Sequence, residues 1–415
     1  MQFGLLGERL PHSFSKEIHG FIGGYEYSLC EVARENFQTF MEAKNFRGLN
    51  VTIPYKKDVI PFLDSLSEQA QKIGAVNTII NEGGKLRGYN TDFFGLKALI
   101  QKTGLELRGK KVLILGTGGT SQTAQAVARE LKAGEILKVS RSQKGDAIDY
   151  SAATTVHSDA NVIINTTPLG MYPDNNALPI SLAPFKNLEG VVDVIYNPLR
   201  TKLVLEAQAR GLLSAGGLFM LVAQAVYAAE KFLDQKISQE KTAEIFSKIL
   251  LQKENLVLTG MPGSGKSTVG KLAAMALQKT FVDTDDLITE KYGATPSVVI
   301  QEKGIESFRA YEKEVVAEAG AKTGLVIATG GGAVLAPENI TALKQNGRII
   351  FLDRPIEEIV PTPDRPLSLD RAALQKRYDE RIDTYRQTAD CVLKVKGDAV
   401  ATAAEAQKLF KEFTS

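Results

Sequence analysis

The sequence has no tryptophan, two cysteines and three histidines among its 415 residues. Cys30 and Cys391 lie far apart and no Cys/His spacing matches a zinc site, so we expect no metal centre with nitrogen or sulfur ligands. The 50 basic and 48 acidic residues nearly cancel, which argues against a surface for nucleic acid or an anionic membrane. The longest apolar stretch, 217–229, is interrupted by Gln224, and the first apolar residues end at Glu8, so neither a transmembrane helix nor a signal peptide is expected. These absences favour a reduced, cytoplasmic enzyme.

The length is about two to three times that of a typical domain of ~150 residues, so two or three domains are expected. Apolar segments of strand length at 111–115, 256–259 and 325–329 are each followed by glycines, and the first two glycine loops are followed by a helical pattern. This alternation predicts an α/β architecture with parallel sheets throughout. A helix ending near Leu251 should lead almost directly into the strand at 256, which places a boundary at 252–255.

A phosphate-binding loop is predicted at 260–267, which reads Gly-Met-Pro-Gly-Ser-Gly-Lys-Ser and satisfies G-x-x-x-x-G-K-[ST]. The glycines let backbone N–H groups face a phosphate, Lys266 supplies a positive charge, and the Ser267 hydroxyl can coordinate Mg²⁺. Asp283 and Asp285 follow an apolar run and are expected on one face of a strand, because strand side chains alternate. One carboxylate would act near the metal and the other at a hydroxyl.

Further motifs extend this pattern to the C-terminus: Phe308-Arg309, the glycines at 330–332, Arg365-Pro366-Leu367 and Tyr385-Arg386. With them, residues 255–415 resemble shikimate kinase. The resemblance implies ATP and Mg²⁺ as cofactors and shikimate as substrate, with Asp285 and Lys266 catalytic. It assigns ATP to Gly263, Ser264, Gly265, Lys266, Ser267 and Thr268, and Mg²⁺ to Ser267 and, through water, Asp283. It assigns the substrate to Asp285, Arg309, Gly331, Arg365 and Arg386, with Arg309 and Arg386 clamping its carboxylate and Arg365 reaching phosphate from a lid.

Alternatives stay open within this half. Arg309 could form an ion pair with Glu312 on a helix face, and Asp353 could replace Asp283 near the metal. The segment 360–364, Val-Pro-Thr-Pro-Asp, is shorter than the lid usual in the family. We therefore expect weaker ATP affinity or a measurable ATPase leak.

A dinucleotide site is predicted where Gly116-Thr117-Gly118-Gly119 follows a strand and precedes a helical pattern, although Ser121 stands at the third glycine position. A second strand, 135–139, ends ~20 residues later, where NAD enzymes carry an acidic residue. Here the residues 140–144 are Ser-Arg-Ser-Gln-Lys, which offer cations and hydroxyls to a 2′-phosphate. The sequence therefore favours NADP.

Three segments upstream carry polar side chains among short apolar runs: Asn50-Val-Thr-Ile-Pro-Tyr-Lys56, Gly74-Ala-Val-Asn77-Thr and Gly88-Tyr-Asn90-Thr-Asp92. A lysine beside a carboxylate can bind a secondary alcohol and move its proton. With these motifs, residues 1–251 resemble shikimate dehydrogenase. The resemblance implies hydride transfer from NADPH to 3-dehydroshikimate, with Lys56 supplying the proton and Asp92 orienting both.

The resemblance also implies the binding residues of this half. The substrate is assigned to Ser13, Ser15, Thr52, Lys56, Asn77, Asp92, Tyr196 and Gln224. NADP is assigned to Gly116, Thr117, Gly118, Gly119, Thr120, Ser140, Arg141, Ser142, Lys144, Thr166, Val194 and Gly217. Ser13 and Ser15 could instead cap a helix at 16–21. Thr120 and Gln122 replace the usual Ala and Arg, and Lys16 replaces a common Pro, so cofactor affinity could be lower.

Together the two resemblances predict a bifunctional enzyme of consecutive steps in aromatic amino-acid and chorismate biosynthesis. The expected domains are an α/β substrate domain at 1–105 and 217–251, a Rossmann-like NADP domain at 106–216 and a parallel P-loop kinase domain at 255–415. One rival hypothesis is a quinate/shikimate oxidoreductase fused to a related small-molecule kinase. Another is a nucleotide-regulated binding module with an inactive kinase half. Monomer or homodimer, and channelling between the halves, stay open.

Overall fold

The computed structural model describes residues 2–10, 13–142, 145–359 and 371–414. The predicted site residues Lys144 and Arg365 and the proposed short lid at 360–364 lie outside the described residues. The chain divides into two compact units, Met1–Ile249 and Leu250–Ser415. The division falls within the helix Gln239–Lys253, which ends two residues before the strand Asn255–Thr259.

The strands, numbered along the chain, are β1 Phe3–Gly7, β2 Tyr27–Glu31, β3 Gly48–Val51, β4 Ser65–Leu66, β5 Thr78–Glu82, β6 Lys85–Tyr89, β7 Lys111–Leu115, β8 Glu135–Val139, β9 Val162–Asn165, β10 Gly190–Asp193, β11 Leu213–Ala215, β12 Asn255–Thr259, β13 Thr280–Asp283, β14 Leu325–Ala328, β15 Gly347–Asp353 and β16 Cys391–Lys394. The α-helices are α1 Ser15–Ile22, α2 Phe37–Ala43, α3 Glu68–Ile73, α4 Asp92–Lys102, α5 Gly119–Glu130, α6 Tyr150–Thr155, α7 Lys202–Ala209, α8 Leu218–Leu233, α9 Gln239–Lys253, α10 Lys266–Leu277, α11 Thr284–Tyr292, α12 Pro296–Ala321, α13 Pro337–Asn346, α14 Arg371–Thr388 and α15 Ala399–Glu412.

The first sheet of the N-terminal unit has the strand order β2-β1-β3-β5-β6-β4 and is mixed. Strand β5 runs antiparallel to both β3 and β6, so the expectation of parallel sheets throughout is wrong here. The two-residue turn Gly83-Gly84, with φ of +62° and +90°, accounts for the reversal between β5 and β6, because glycine readily adopts the left-handed conformation of a tight hairpin. This Gly-Gly pair was a readable hairpin signal in the sequence.

The second sheet has the order β11-β10-β9-β7-β8, and its strand pairs are parallel. Chain order reverses between β7 and β9, which creates a crevice at the carboxyl ends of these two strands. Val112, Ile114 and Ile164 of these strands are fully buried in a core shared with helices α4 and α5. This confirms the predicted Rossmann-like fold and places the glycine loop after β7 at the crevice.

The C-terminal unit contains a parallel sheet of order β13-β14-β12-β15-β16. Its central strand β12 is completely buried and leads into the phosphate loop, which helix α10 follows. The carboxyl ends of β13 and β14 therefore lie beside this loop, which confirms the predicted P-loop fold. Among the described residues, no helix is both long and apolar enough to cross a membrane.

Candidate active sites

Lys56 and Asp92 form a close pair in the N-terminal unit. Lys56 lies in the turn after β3 and Asp92 is the first residue of α4, and Lys56 Nζ is 2.5 Å from Asp92 Oδ2. Their side chains are 29% and 16% exposed, so a ligand can reach both. The structure thus brings together the two residues that the sequence predicted as a catalytic pair.

Three polar side chains form a hydrogen-bonded cluster next to this pair: Asn77 and Gln224, which the sequence analysis assigned, and Thr91, which it did not. Asn77 Nδ2 donates to Thr91 Oγ1 at 3.0 Å and to Gln224 Oε1 at 3.4 Å, and the Thr91 N–H donates to Asn77 Oδ1 at 2.6 Å. All three residues are buried. Thr91, which sequence reasoning did not assign, immediately precedes Asp92 and so ties the amide cluster to the catalytic pair.

A second, deeper layer of polar groups supports Asn77. Tyr27 Oη donates to Asn50 Oδ1 at 2.7 Å, Asn50 Nδ2 donates to Thr78 Oγ1 at 3.1 Å, and Thr78 lies next to Asn77. His19 stacks on Tyr27 with ring centroids 3.8 Å apart, and burial lowers its pKa to about 3, so it is neutral. Asn50 was readable as the first residue of the Asn50–Lys56 motif, whereas Tyr27 and His19 have no distinctive sequence signal.

The segment Ser13 to Ser15 lies near Tyr196. The ring of Phe14 is 5.4 Å from that of Tyr196 between centroids, and burial raises the pKa of the Tyr196 hydroxyl. Helix α1 begins at Ser15, whose N–H donates to Ser13 Oγ at 3.2 Å. The N-cap position of α1 is Phe14, which makes no side-chain capping bond, so Ser13 contacts the start of the helix without occupying the cap position. Thr52 follows β3, four residues before Lys56.

Close packing of α4 on α8 sets the position of Gln224. A Cβ on Gly95 would lie 2.7 Å from the Met220 carbonyl oxygen and 2.9 Å from Gln224 Cβ. We expect Gly95→Ala to destabilise the N-terminal unit by about 1–3 kcal/mol, and to raise the KM for 3-dehydroshikimate because Gln224 is displaced. Urea titration of reductase activity, with kinase activity as internal reference, measures the first effect, and initial rates measure the second.

Gly20→Ala is the matched control, because Gly20 also lies in a helix and its added Cβ would meet no atom within 4 Å. That variant should be as stable as the parent or slightly more stable. A Gly95→Ala protein with parental stability and KM would show that this crossing does not constrain Gln224.

The glycine loop after β7 lines the crevice of the second sheet. Thr117, Gly118 and Gly119 are exposed, Thr120 is partly exposed, and α5 begins at Gly119. Thr166 Oγ1 donates to the Leu115 carbonyl at 2.6 Å, so it lies against the start of this loop. The exposed helix N-terminus is a suitable place for a pyrophosphate.

The loop after β8 neighbours the glycine loop, since β7 and β8 pair. Ser140 is buried with its hydroxyl 3.2 Å from Ser142 Oγ, whereas Arg141 is exposed. A cation with two hydroxyls at this position suits a 2′-phosphate.

A buried carboxylate, missed by sequence reasoning, supports the far side of the crevice. Asp193 accepts from Asn165 Nδ2 at 3.0 Å, from the Ile195 N–H at 3.1 Å and from Thr201 Oγ1 at 2.7 Å. Burial raises its pKa to about 6 against these hydrogen bonds. Gly217 donates its N–H to the Ile195 carbonyl at 2.8 Å, which holds Gly217 and Val194 near one another.

In the C-terminal unit, a cavity of about 480 Å³ joins the phosphate loop to the predicted substrate residues. It is lined by Gly263, Gly265, Lys266, Ser267 and Thr268 together with Asp283, Asp285, Arg309, Gly331, Arg377 and Arg381. Ser264, which belongs to the same loop, is fully buried. The nucleotide and substrate residues therefore share one cavity.

The phosphate loop places its charged and hydroxyl groups as the motif requires. Lys266 Nζ donates to the carbonyls of Gly260 and Met261, at 3.0 Å each. Ser267 Oγ donates to Asp283 Oδ2 at 2.6 Å. No group of three or more His, Cys, Asp or Glu residues that could hold a metal occurs in the described part of the chain. One hydroxyl and one carboxylate fit Mg²⁺, which keeps several waters and binds substrate phosphates.

The two aspartates do not share a strand face. Strand β13 ends at Asp283, and Asp285 lies in α11, where its N–H donates to Asp283 Oδ1 at 3.0 Å. The strand argument is therefore wrong, yet both carboxylates line the cavity. Burial, reinforced by the Asp283 and Glu312 carboxylates and opposed by Lys266, raises the pKa of Asp285 to about 6.

The glycines at 330–332 make room for this cluster. A Cβ on Gly330 would lie 2.8 Å from Asp285 Oδ1 and 2.9 Å from Glu312 Oε1. Arg309 Nη1 is 2.5 Å from Glu312 Oε2, and both residues line the cavity. The ion-pair alternative and the cavity position thus both hold for Arg309.

Arg386 is not among the cavity residues. Its Nη2 lies 3.9 Å from Asp353 Oδ2 and its side chain is 51% exposed, whereas Arg381 and Arg377 line the cavity. Arg377, Arg381 and Tyr385 are spaced by four residues and so share one face of α14, while Arg386 is rotated by about 100° from Tyr385. Burial and the nearby Arg381 and Arg309 lower the pKa of Arg377. The spacing of four between Arg377, Arg381 and Tyr385 was the sequence signal that could have identified the face of α14 that lines the cavity.

These folds and sites define two classes of enzyme in one chain: a dinucleotide-dependent oxidoreductase and a P-loop phosphotransferase. Residues 5–79 match the family model for the shikimate dehydrogenase substrate binding domain, and residues 262–413 match that for shikimate kinase. The chain belongs to the shikimate dehydrogenase family and carries a shikimate kinase domain, and it is a bifunctional enzyme of the shikimate pathway. Neither rival hypothesis is favoured.

Relatives cover the N-terminal part of the chain. A shikimate dehydrogenase (NADP(+)) of Clostridium perfringens is 35% identical over 265 residues, covering 60% of this chain and 97% of that protein. That of Methanococcus maripaludis is 37% identical, covering 56% and 91%. A solved chorismate mutase/shikimate 5-dehydrogenase fusion protein from Clostridium acetobutylicum has a TM-score of 0.56 at 34% identity, covering 60% and 96%. The Thermus thermophilus shikimate 5-dehydrogenase in complex with NADP(H) and shikimate has a TM-score of 0.54 at 29% identity, covering 59% and 98%.

Proposed function

We propose that the N-terminal unit reduces 3-dehydroshikimate to shikimate and that the C-terminal unit phosphorylates shikimate to shikimate 3-phosphate. The observation that carries the proposal is the complementarity of the two sites. The Lys56–Asp92 pair is built to form an alcohol, and the second cavity joins a phosphate loop to a carboxylate and arginines. The cofactors are NADP(H) for the first unit and ATP with Mg²⁺ for the second.

In the reductase site, bound NADPH supplies the hydride. Lys56 donates a proton to the oxygen of the reduced carbonyl, and Asp92 holds Lys56 and the new hydroxyl in place. Thr52, Asn77 and Gln224 bind ring hydroxyls. Ser13, Ser15 and Tyr196 bind the carboxylate. We add Thr91 to the residues that bind ring hydroxyls, because its hydroxyl is 3.0 Å from Asn77 Nδ2.

In the kinase site, bound Mg²⁺·ATP supplies the phosphoryl group. Asp285 accepts the proton of the attacking hydroxyl, and Lys266 turns from the loop carbonyls to the phosphates. Ser267 would hold the metal directly, and Asp283, which accepts its hydroxyl proton here, would hold the metal through water. Arg309 and Arg381 bind the substrate carboxylate, since paired guanidiniums suit a carboxylate and both line the cavity.

We expect Arg381→Met to raise the KM for shikimate in the kinase reaction by about 10–100-fold, because a charge-assisted hydrogen bond is lost. Arg386→Met on the same helix is the matched control and should leave this KM within about twofold, as expected for an exposed pair. Initial rates of ADP release at saturating ATP measure both. A large KM increase in Arg386→Met alone would restore the original assignment.

We propose domain boundaries at 1–105 with 217–251, at 106–216 and at 255–415. The first sheet lies within 3–89, the second within 111–215 and the third within 255–394, which supports these limits. We further propose a cytoplasmic enzyme that acts on small molecules, without a nucleic-acid or membrane partner. Sedimentation would distinguish a monomer from a homodimer.

One assay tests both activities. NADPH oxidation is followed with 3-dehydroshikimate, with and without ATP, and the products are identified by mass. We expect shikimate without ATP and shikimate 3-phosphate with ATP. Absence of NADPH oxidation would contradict the reductase assignment, and absence of a phosphorylated product would favour the nucleotide-regulated module.

A further inference from the structure

The hydroxyl of Tyr385 lies between two loops that form different walls of the kinase cavity. Tyr385 Oη is 3.0 Å from the carbonyl oxygen of Gly260, where the phosphate loop begins, and also contacts the carbonyl oxygen of Gly331. The side chain is fully buried, and its ring stacks on Phe351 with centroids 4.9 Å apart. One side chain therefore touches both the nucleotide side and the substrate side of the site.

The donors and acceptors around this hydroxyl are unequal in number. A phenol has one proton, and burial raises the pKa of Tyr385 to about 12, so that proton is retained. Lys266 Nζ also donates to Gly260 O, at 3.0 Å, and Arg381 Nη1 donates to Gly331 O, at 3.1 Å. Two carbonyl oxygens thus share three donors: Lys266, Arg381 and a single tyrosine proton that can serve only one oxygen at a time.

We propose that Tyr385 couples nucleotide binding to shikimate binding by moving its hydrogen bond from Gly331 O to Gly260 O when Lys266 turns to the nucleotide. This inference rests on the proposed roles of Lys266 at the phosphates and Arg381 at the carboxylate. A buried carbonyl that loses its donor is costly, so the departure of Lys266 recruits the Tyr385 proton to Gly260.

The transfer leaves Gly331 O dependent on Arg381. The guanidinium is a rigid planar fork with five N–H donors, so holding Nη1 on Gly331 fixes the direction of the remaining donors. An arginine fixed in this way loses less conformational freedom when a carboxylate binds. Nucleotide binding should therefore increase affinity for shikimate, and by linkage shikimate should increase affinity for the nucleotide.

The test uses the full chain and follows ADP release, which reports the kinase unit alone. Half-saturating shikimate is measured at low and at saturating Mg²⁺·ATP. The ratio of the two values should be about 5 or more in the parent protein, within the usual range of coupling, and close to one in Tyr385→Phe. The ratio is independent of the fraction of folded enzyme, so a loss of stability does not mimic the effect.

Two variants separate the hydroxyl from the packing of its ring. Tyr378→Phe, on the same helix and in the same apolar cluster, should keep the parental ratio. Phe351→Leu removes the ring stacked on Tyr385 and should lower stability while keeping the ratio. An unchanged ratio in Tyr385→Phe, or a parental ratio of one, overturns the coupling while the kinase assignment stands. Failure of the parent to phosphorylate shikimate overturns both.

Discussion

Lys56→Ala is expected to lower the kcat for reduction of 3-dehydroshikimate by about 10²–10⁴-fold, the usual contribution of a positioned proton donor. Lys56 Nζ is 2.5 Å from Asp92 and is the cation of this pair, so its removal takes away the proton donor that is paired with the carboxylate. Steady-state NADPH oxidation measures the loss. The kinase kcat of the same preparation should be unchanged, because the phosphate loop belongs to the other unit.

Lys57→Ala is the control for Lys56→Ala, since Lys57 is the adjacent lysine and is exposed. It should retain the parental reductase rate. Lys56→Arg keeps the charge but not the compact ammonium, and we expect it to recover only part of the activity. A reductase that works equally well in Lys56→Ala would mean that another group supplies the proton.

Asp285→Asn is expected to lower the kcat for phosphoryl transfer by a similar factor, about 10²–10⁴, because the amide cannot accept the proton of the attacking hydroxyl. The reductase rate should stay near that of the parent. ADP release at saturating shikimate and ATP measures the change. Asp286→Asn, one residue along on the exposed side of α11, should remain active.

The raised pKa of Asp285 gives this residue a pH signature. With a pKa of about 6, the carboxyl of the free enzyme is protonated at lower pH and cannot act as a base. The kinase kcat/KM for shikimate should therefore fall by up to tenfold for each pH unit below about 6. The residual activity of Asp285→Asn should lack this step, and an identical step in that variant would assign it to another group.

The same shift predicts the effect on stability. The pKa in the folded state is above the ordinary value of 3.8, so the folded protein binds more protons than the unfolded protein between these values. Stability is therefore lost as pH rises from about 4 to about 6, and the cost persists at higher pH. Asp285→Asn should thus unfold at a higher urea concentration than the parent at pH 8, even though it is inactive.

The arginines show what a motif can and cannot locate. The resemblance assigned Arg309 and Arg386 to the substrate carboxylate; Arg309 lines the cavity, whereas on α14 the lining arginines are Arg377 and Arg381. Arg386 lies five positions after Arg381, and successive helical residues point about 100° apart, so the two side chains point about 140° apart and face different surroundings. Applying the spacing of four to Arg377, Arg381 and Tyr385 would have identified the inner face.

For the two aspartates of the kinase site, the sequence analysis identified the residues but not the secondary structure that carries them. Both Asp283 and Asp285 reach the cavity, but the strand ends at Asp283 and the helix begins one residue later. At this boundary Asp283 is the N-cap of α11 and accepts the N–H of Asp285, and such local side-chain bonds compete with regular secondary structure. The residue identities were therefore predictable and their geometry was not.

By itself, the sequence determined the two phosphate-binding turns, the Lys56 and Asp92 motifs and the parallel sheets that support the cofactor sites, because glycine spacing and apolar periodicity are local properties of the chain. Tertiary structure alone decided that Asn77, Thr91 and Gln224 form one cluster and that Tyr385 spans the phosphate and glycine loops. Gln224 lies 147 positions from Asn77 and meets it through the crossing of α4 and α8. Such contacts depend on how distant elements pack, which no local pattern records.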